Sequence, residues 1–388
     1  MDKEVKTTTI KTPQKQVVQY FDYSLLAIVI FLVCFGLVML YSTSSYSAQI
    51  KFNDSMYYFK RQAVFSTISL IGMLVVSKID YHWYVKISKF IYVVSFVLMI
   101  LVLTPLGIEA YGARRWIRLP FGQQMQPSEL TKLAIIIFIP VLICKVGKHI
   151  RDYKVLGKIF LWGAAAAGGV FFFTDNLSTA IIVLGMVCVM LFVAHPKTAP
   201  FVGLAAVGCV LAALAVRFLD AMMDTSGDFR LRRILVWLHP EEYADEGGYQ
   251  VMQGLYAIGS GGFFGKGLGN SAQKMIIPEV QNDMILSIVC EELGVFGAIV
   301  ILTLFGMLLY RLVFIAQNAP DLYGSLIVTG IFAHIAIQVI LNVAVVLNLI
   351  PTTGITLPFI SYGGTSILFL MAEMGLALGV SRQIRFEE

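Results

Sequence analysis

This chain has little charge. Of its 388 residues, 14% are Asp, Glu, Lys or Arg and 58% are hydrophobic, whereas soluble domains carry about 25% charged residues. So thin a charged coat cannot cover a soluble fold of this length, and a bilayer-embedded fold does not need one. The net charge of +5 is scattered over short segments and forms no basic stripe, which excludes nucleic acid as a partner. The five cysteines, Cys34, Cys144, Cys188, Cys209 and Cys290, lie in or beside apolar runs and form no C-x-x-C pair, which argues against a disulfide framework or a zinc site. H-E-x-x-H, G-x-S-x-G and Walker patterns are absent, and the five histidines are scattered. The glycine-dense run 259–269 is not a nucleotide loop. Ser260 and Gly267 stand where a P-loop needs Gly and Ser or Thr, and no register fits G-x-G-x-x-G.

What the chain does have is long apolar runs. They fall near 23–42, 62–78, 88–107, 129–145, 156–174, 178–194, 200–218, 284–310, 322–348 and 366–381. They predict an all-α integral membrane protein with about ten transmembrane helices. The polar, basic stretch 1–22 precedes an uncharged run too long for a signal-peptide core, so the first span reads as an uncleaved anchor. More than half of the 29 lysines and arginines fall in the tails and in the even-numbered connections, which places both termini in the cytoplasm. The organisation expected is a cytoplasmic tail 1–22, a single polytopic membrane domain 23–381 and a cytoplasmic tail 382–388. One long exocytoplasmic loop, 219–283, lies between helices 7 and 8 and is too long for an idle connector. The other unusual outer segments are 108–128 and 349–365.

Four constellations carry the chemistry-bearing residues. In the first, Arg114, Arg115 and Arg118 flank Trp116, with arginine forks suited to phosphate oxygens. Ser128 is placed to cap the fourth helix, and Glu129 and Lys132 share a face of its first turn. Interfacial snorkelling and a local ion pair are the plain alternative. In the second, the long loop holds Arg230, Arg232 and Arg233 before an amphipathic stretch ending at Trp237, then Gln250 and the glycine run, which is either a linker or a place of close backbone approach. In the third, Lys274, Glu279 and Asp283 run into the eighth helix. Asp283 is the one carboxylate poised where this loop meets the membrane, and partial burial would raise its pKa toward a general base's range, although helix capping alone could account for it. Glu291 and Glu292 follow inside the predicted span, about 100° apart, so that at most one faces the Asp283 site. In the fourth, His334, Gln338 and Asn342 form a polar stripe whose plain reading is helix–helix hydrogen bonding. An irregular segment from Asn348 to Ser366 then precedes the last span, which contains Glu373. Irregular backbone at such depth must line protein or a cavity.

The stretches Gly112-Ala-Arg-Arg-Trp-Ile117 and Pro127-Ser-Glu-x-x-Lys132 resemble the SEDS family (shape, elongation, division and sporulation). So do Gly259-Ser-Gly-Gly262, Gly267-Leu-Gly269, Pro278-Glu-x-x-x-Asp283 and Pro351-Thr-Thr-Gly-x-x-Leu-Pro-Phe-Ile-Ser-Tyr-Gly-Gly-Thr-Ser366. The likeness runs from about residue 20 to 385. Gly269-Asn-Ser-x-Gln-Lys274 and Glu291-Glu-Leu-Gly294 are closer to its division and sporulation branches than to its elongation branch. The chain departs from the family at Phe173-Thr-Asp-Asn-Leu-Ser-Thr179, where Gln-Pro-Asp-Leu-Gly-Thr is common, and at Gln281-Asn-Asp283, where His-Thr-Asp is common.

The resemblance implies a peptidoglycan glycosyltransferase in a bacterial cytoplasmic membrane, at the division septum, that polymerises lipid II with inversion. It implies a class B penicillin-binding protein and other division proteins as partners. Asp283 is the implied base. Arg114, Arg115, Lys132 and Lys274 are the candidate cations for the diphosphate. Glu129, Glu279, Gln250, Ser361, Gly363 and Gly364 are further candidate substrate contacts. A divalent cation, magnesium or manganese, is suggested for the family, and no ligand cluster in the sequence fixes one. A lipid II flippase and a non-catalytic scaffold are the rival readings. A transporter gathers its essential groups near the midplane, and here the stronger constellations lie at the outer face.

Overall fold

The computed structural model describes residues 17–110, 113–119, 123–222, 229–244 and 247–387. Its helices are α1 (Tyr23–Phe52), α2 (Tyr57–Val76), α3 (Trp83–Leu101), α4 (Pro127–Val146), α5 (Tyr153–Thr174), α6 (Leu177–Ala194), α7 (Ala199–Met222), α8 (Phe229–Leu238), α9 (Gly248–Gly261), α10 (Ile285–Asn318), α11 (Leu322–Val346) and α12 (Ser366–Ser381). Each apolar run of the sequence falls on a helix. Among the described residues, eight helices (α1 to α6, α10 and α11) are long and apolar enough to cross a membrane, while α12 is a shorter apolar helix. Helix α11 is the central post, packed against α4, α6, α10 and α12. It is buried nearly all round, as a helix enclosed by other helices must be if it is apolar on every face.

Short strands depart from the all-α expectation. Strands β2 (Gly107–Ala110) and β3 (Ala113–Arg118) pair antiparallel, and β4 (Gln124–Met125) pairs with β3. Trp116 and Ile117 favour a strand, but so short a run among arginines leaves too little pattern to read. Strands β1 (Val17–Gln19) and β5 (Arg385–Glu387) also pair, so the first and last described residues lie on one face, here called the terminal face. Beside them Asp22 caps α1, accepting from Leu25 N at 2.8 Å, and accepts from Arg311 Nε and Nη2 of α10 at 3.0 and 2.7 Å. The β2–β4 sheet, α8, α9 and residues 349–365 form the opposite, distal face.

The eighth predicted span, 284–310, falls on helix α10. Helix α10 has 34 residues and turns at Gly294, which sits at φ 70° inside it. Gly294 divides it into two arms, and at a rise of about 1.5 Å per residue the second, 295–318, is roughly 36 Å long, against an apolar bilayer thickness of about 30 Å. Val295–Asn318 is long enough to span alone, so Glu291 and Glu292 stand above the turn, at the distal edge of the bundle. Their neighbour Ser42 lies roughly 28 Å along α1 from its start, at the same level.

Candidate functional site

The distal face is organised by two segments that fold back onto the bundle. The first is the glycine run after α9. Both adjacent acids hold it, and none of the hydrogen bonds they make reaches Asp283. Glu291 accepts from Lys266 Nζ at 2.7 Å, from Ala272 N and Gln273 N at 3.2 and 3.3 Å, and from the Ser271 hydroxyl. Glu292 accepts from Ser42 Oγ at 2.7 Å and from Lys274 Nζ at 3.2 Å. The run lies against α10, backbone to backbone. Gly265 has φ 80°, and a Cβ there would sit 2.2 Å from Glu292 O. Close approach is what Gly261 and Gly265 serve, while Gly262, Gly267 and Gly269 take positive φ angles that favour glycine. Lys274, a candidate for the diphosphate, is buried with its ammonium committed to Glu292 and to Gly269 O at 2.6 Å.

The second segment is Pro351–Ser366. It passes α1 so closely that a Cβ on Gly36 would lie 2.6 Å from Phe359 O, roughly 20 Å along that helix. Phe359 is buried at φ 64°, a left-handed conformation that bulky residues rarely adopt. The polar stripe of α11 reads this backbone. Gln338 Nε2 donates to Thr356 O at 2.9 Å, and Asn342 Nδ2 donates to Ile355 O at 2.8 Å. Ser361, Gly363 and Gly364 shape the segment. Leu357 N donates to Ser361 Oγ at 2.9 Å, and Gly364, at φ 50°, donates its N–H to Gln62 Oε1 at 3.3 Å.

Asp283 sits between these segments, just before α10. Its side chain keeps an edge toward water, yet dense surroundings desolvate it and hold its carboxyl above the ordinary range. Arg233 of α8 opposes that rise, as do the N–H groups of Asp283 and Met284, and Glu279 adds to it. Glu279 is paired with Lys51 at 2.5 Å and accepts from Gln281 Nε2 at 2.9 Å. Burial, and then Arg115, pull Arg233 below the usual guanidinium value, while Asp283 and Asp175 pull it back. Arg233 Nη1 also donates to Thr352 O at 3.4 Å, and Arg115 Nη2 to Asp175 O at 3.1 Å. Two guanidinium groups and two carboxylates therefore meet over the second segment, with Asp283 among them.

The other sequence candidates are dispersed. Arg114, next to Arg115 on β3, points to the opposite face and meets Glu109 at 3.3 Å in an exposed pair. Glu129 and Lys132 form a buried ion pair at 2.8 Å, and Lys132 Nζ donates to Gln338 Oε1 at 3.4 Å. Gln250 is half-buried in the first turn of α9. Ser128 does not cap α4. Pro127 takes the first helical position, where its missing N–H costs nothing, and the buried Ser128 Oγ has no hydrogen-bond partner. Arg233 was singled out in the sequence only as part of a basic run. The signal for it was the amphipathic stretch ending at Trp237, whose Nε1 donates to Asn348 O at 2.9 Å and seats α8 on the second segment. The side chains of Arg230 and Arg232 lie outside the described residues. Among the described residues no three His, Cys, Asp or Glu side chains converge as a metal ion would require.

The FtsW/RodA/SpoVE family profile, described as cell cycle proteins, matches residues 23–385. The chain belongs to that family. Stage V sporulation protein E of Bacillus subtilis is 40% identical over 94% of this chain and 98% of its own length. A probable peptidoglycan glycosyltransferase FtsW of Trichlorobacter lovleyi is 37% identical over 94% of each. A chain in a solved peptidoglycan synthase complex, described as coordinating polymerization and crosslinking, is 28% identical at a TM-score of 0.75, with 94% of this chain and 98% of that one covered. In this FtsW/RodA/SpoVE member the Pro351–Ser366 segment and Asp283 thus belong to one constellation, joined through α11.

Proposed function

We propose that the chain is a peptidoglycan glycosyltransferase that polymerises lipid II at the outer face of the bacterial membrane. The distal face is the exocytoplasmic one on this reading, with the basic tails and connections on the cytoplasmic side. The observation that carries it is a carboxylate with a raised pKa, Asp283, beside the Arg115–Arg233 pair at the rim of the bundle. The growing glycan is the donor, linked α to its undecaprenyl diphosphate. Asp283 accepts the proton of the acceptor's GlcNAc 4-hydroxyl as that oxygen bonds to the donor's anomeric carbon. The carbon–oxygen bond to the diphosphate breaks in the same displacement, which inverts the centre to the β-1,4 linkage. The electron pair leaves with the diphosphate, and Arg115 and Arg233 are placed to neutralise it, since preorganised cations act most strongly where water is excluded. A positioned base contributes about 10²–10⁴-fold.

A class B penicillin-binding protein is the proposed partner, and septal synthesis the proposed setting. The latter rests on the Gly269–Lys274 and Glu291–Gly294 stretches shared with the division and sporulation branches.

The test is glycan-strand formation from lipid II in detergent by the purified full chain with its partner, compared with Asp283→Asn. Polymer from the wild type and about 10²-fold less from the variant is the expected result. Undiminished polymer from the variant overturns Asp283 as the base, and no polymer from either favours a flippase or a scaffold.

A further inference from the structure

Asn342 ends the polar stripe of α11. It is fully buried on α11, and its Nδ2 donates at once to Ile355 O and to Asp283 O, both at 2.8 Å. The two hydrogens of an amide nitrogen lie in one plane and diverge, so a single side chain fixes the two backbones relative to each other. The Asp283 carbonyl lies just outside α10, whose first local bond runs from Ser287 N to Met284 O at 3.1 Å. The amide of Asn342 therefore sets the orientation of the peptide that follows Asp283. Its own Oδ1 is buried without a hydrogen-bond partner. That unmet acceptor is a cost, set against the two backbone carbonyls the same amide satisfies.

We infer that Asn342 is a positioning residue for the transfer reaction: it locks Asp283 to α11 and to the Ile355 backbone, so that the carboxylate faces the acceptor hydroxyl. This rests on the reading of Asp283 as the base. The charged groups that act most on Asp283 are Arg233 from α8 and Glu279 from the preceding turn, and the two donations of Asn342 go to backbone carbonyls, not to either of these. Released from Asn342, Asp283 gains water, and the acid side of its pH dependence moves to lower pH.

The test uses the full chain with its partner and lipid II across a pH series. Asn342→Ala is expected to lower kcat by about 10²-fold, the scale of a small misplacement of a reacting group. KM for lipid II should stay within about two-fold, because an interaction used only in the transition state leaves ground-state binding unchanged. The acid limb of kcat should shift downward in pH. A kcat within about two-fold of wild type, or a loss with KM raised and the limb unmoved, overturns the inference and leaves a structural bond. If Asn342→Ala does not fold, Asn342→Ser, which keeps one donor, decides by the same limb. Asp283→Asn in the same series separates the two ideas. Activity in that variant removes the base itself, whereas an inactive Asp283→Asn beside a normal Asn342→Ala removes only the positioning role.

Discussion

The two segments that fold back onto the distal face are held by opposite chemistry. The glycine run is gripped by full charges: Glu291 by Lys266 and backbone N–H groups, Glu292 by Lys274 and Ser42. The Pro351–Ser366 segment is gripped inside the bundle by neutral amides, Gln338 and Asn342, donating to its carbonyls. Depth accounts for the difference. Glu291 and Glu292 lie above the turn in α10, within reach of water through Lys266. The second segment passes Gly36, deep in α1, where an unpaired ion would cost far more than an amide. Charge touches the second segment at its upper edge, where Arg233 meets Thr352.

This comparison can be broken in three places. Glu292→Ala leaves the Lys274 ammonium buried without its counter-charge and is expected to cost about 3–5 kcal/mol. The thermal midpoint in detergent reads this, and Glu292→Leu combined with Lys274→Met should restore most of the loss. Gln338→Leu strands one carbonyl and the partners of its own oxygen, for about 1–3 kcal/mol by the same measurement. A larger loss at Gln338 than at Glu292 would reverse the ranking of ionic and amide grips. The smallest effect is on pH dependence. Arg233 is the positive charge that lowers the Asp283 pKa, so Arg233→Gln lets Asp283 keep its proton to higher pH. The base then becomes available later on the pH axis, and the acid limb of the polymerisation rate should move to higher pH. A downward shift would mean that Arg233 does not act on Asp283.

The apolar runs were legible because length and hydropathy are local properties, and so were the Glu129–Lys132 pair and the poised position of Asp283. What stayed hidden depends on partners far apart in sequence. Nothing near Lys274 announces that Glu292 will neutralise it. Nothing near Arg233 says that folding of α8 onto Asn348 carries it to Asp283 and Arg115. The β2–β4 sheet was missed because its strands are too short to show an alternating run. The stripe of α11 was visible as a stripe, but its acceptors are backbone carbonyls, which carry no sequence signal.

The pairing of β1 with β5 bears on how the protein is made. Val17–Gln19 emerges from the ribosome early and Arg385–Glu387 late, and Asp22 must wait for Arg311 in the same way. These contacts cannot form until the intervening helices have been synthesised. The terminal sheet is therefore a closing latch, made last because one of its strands is made last.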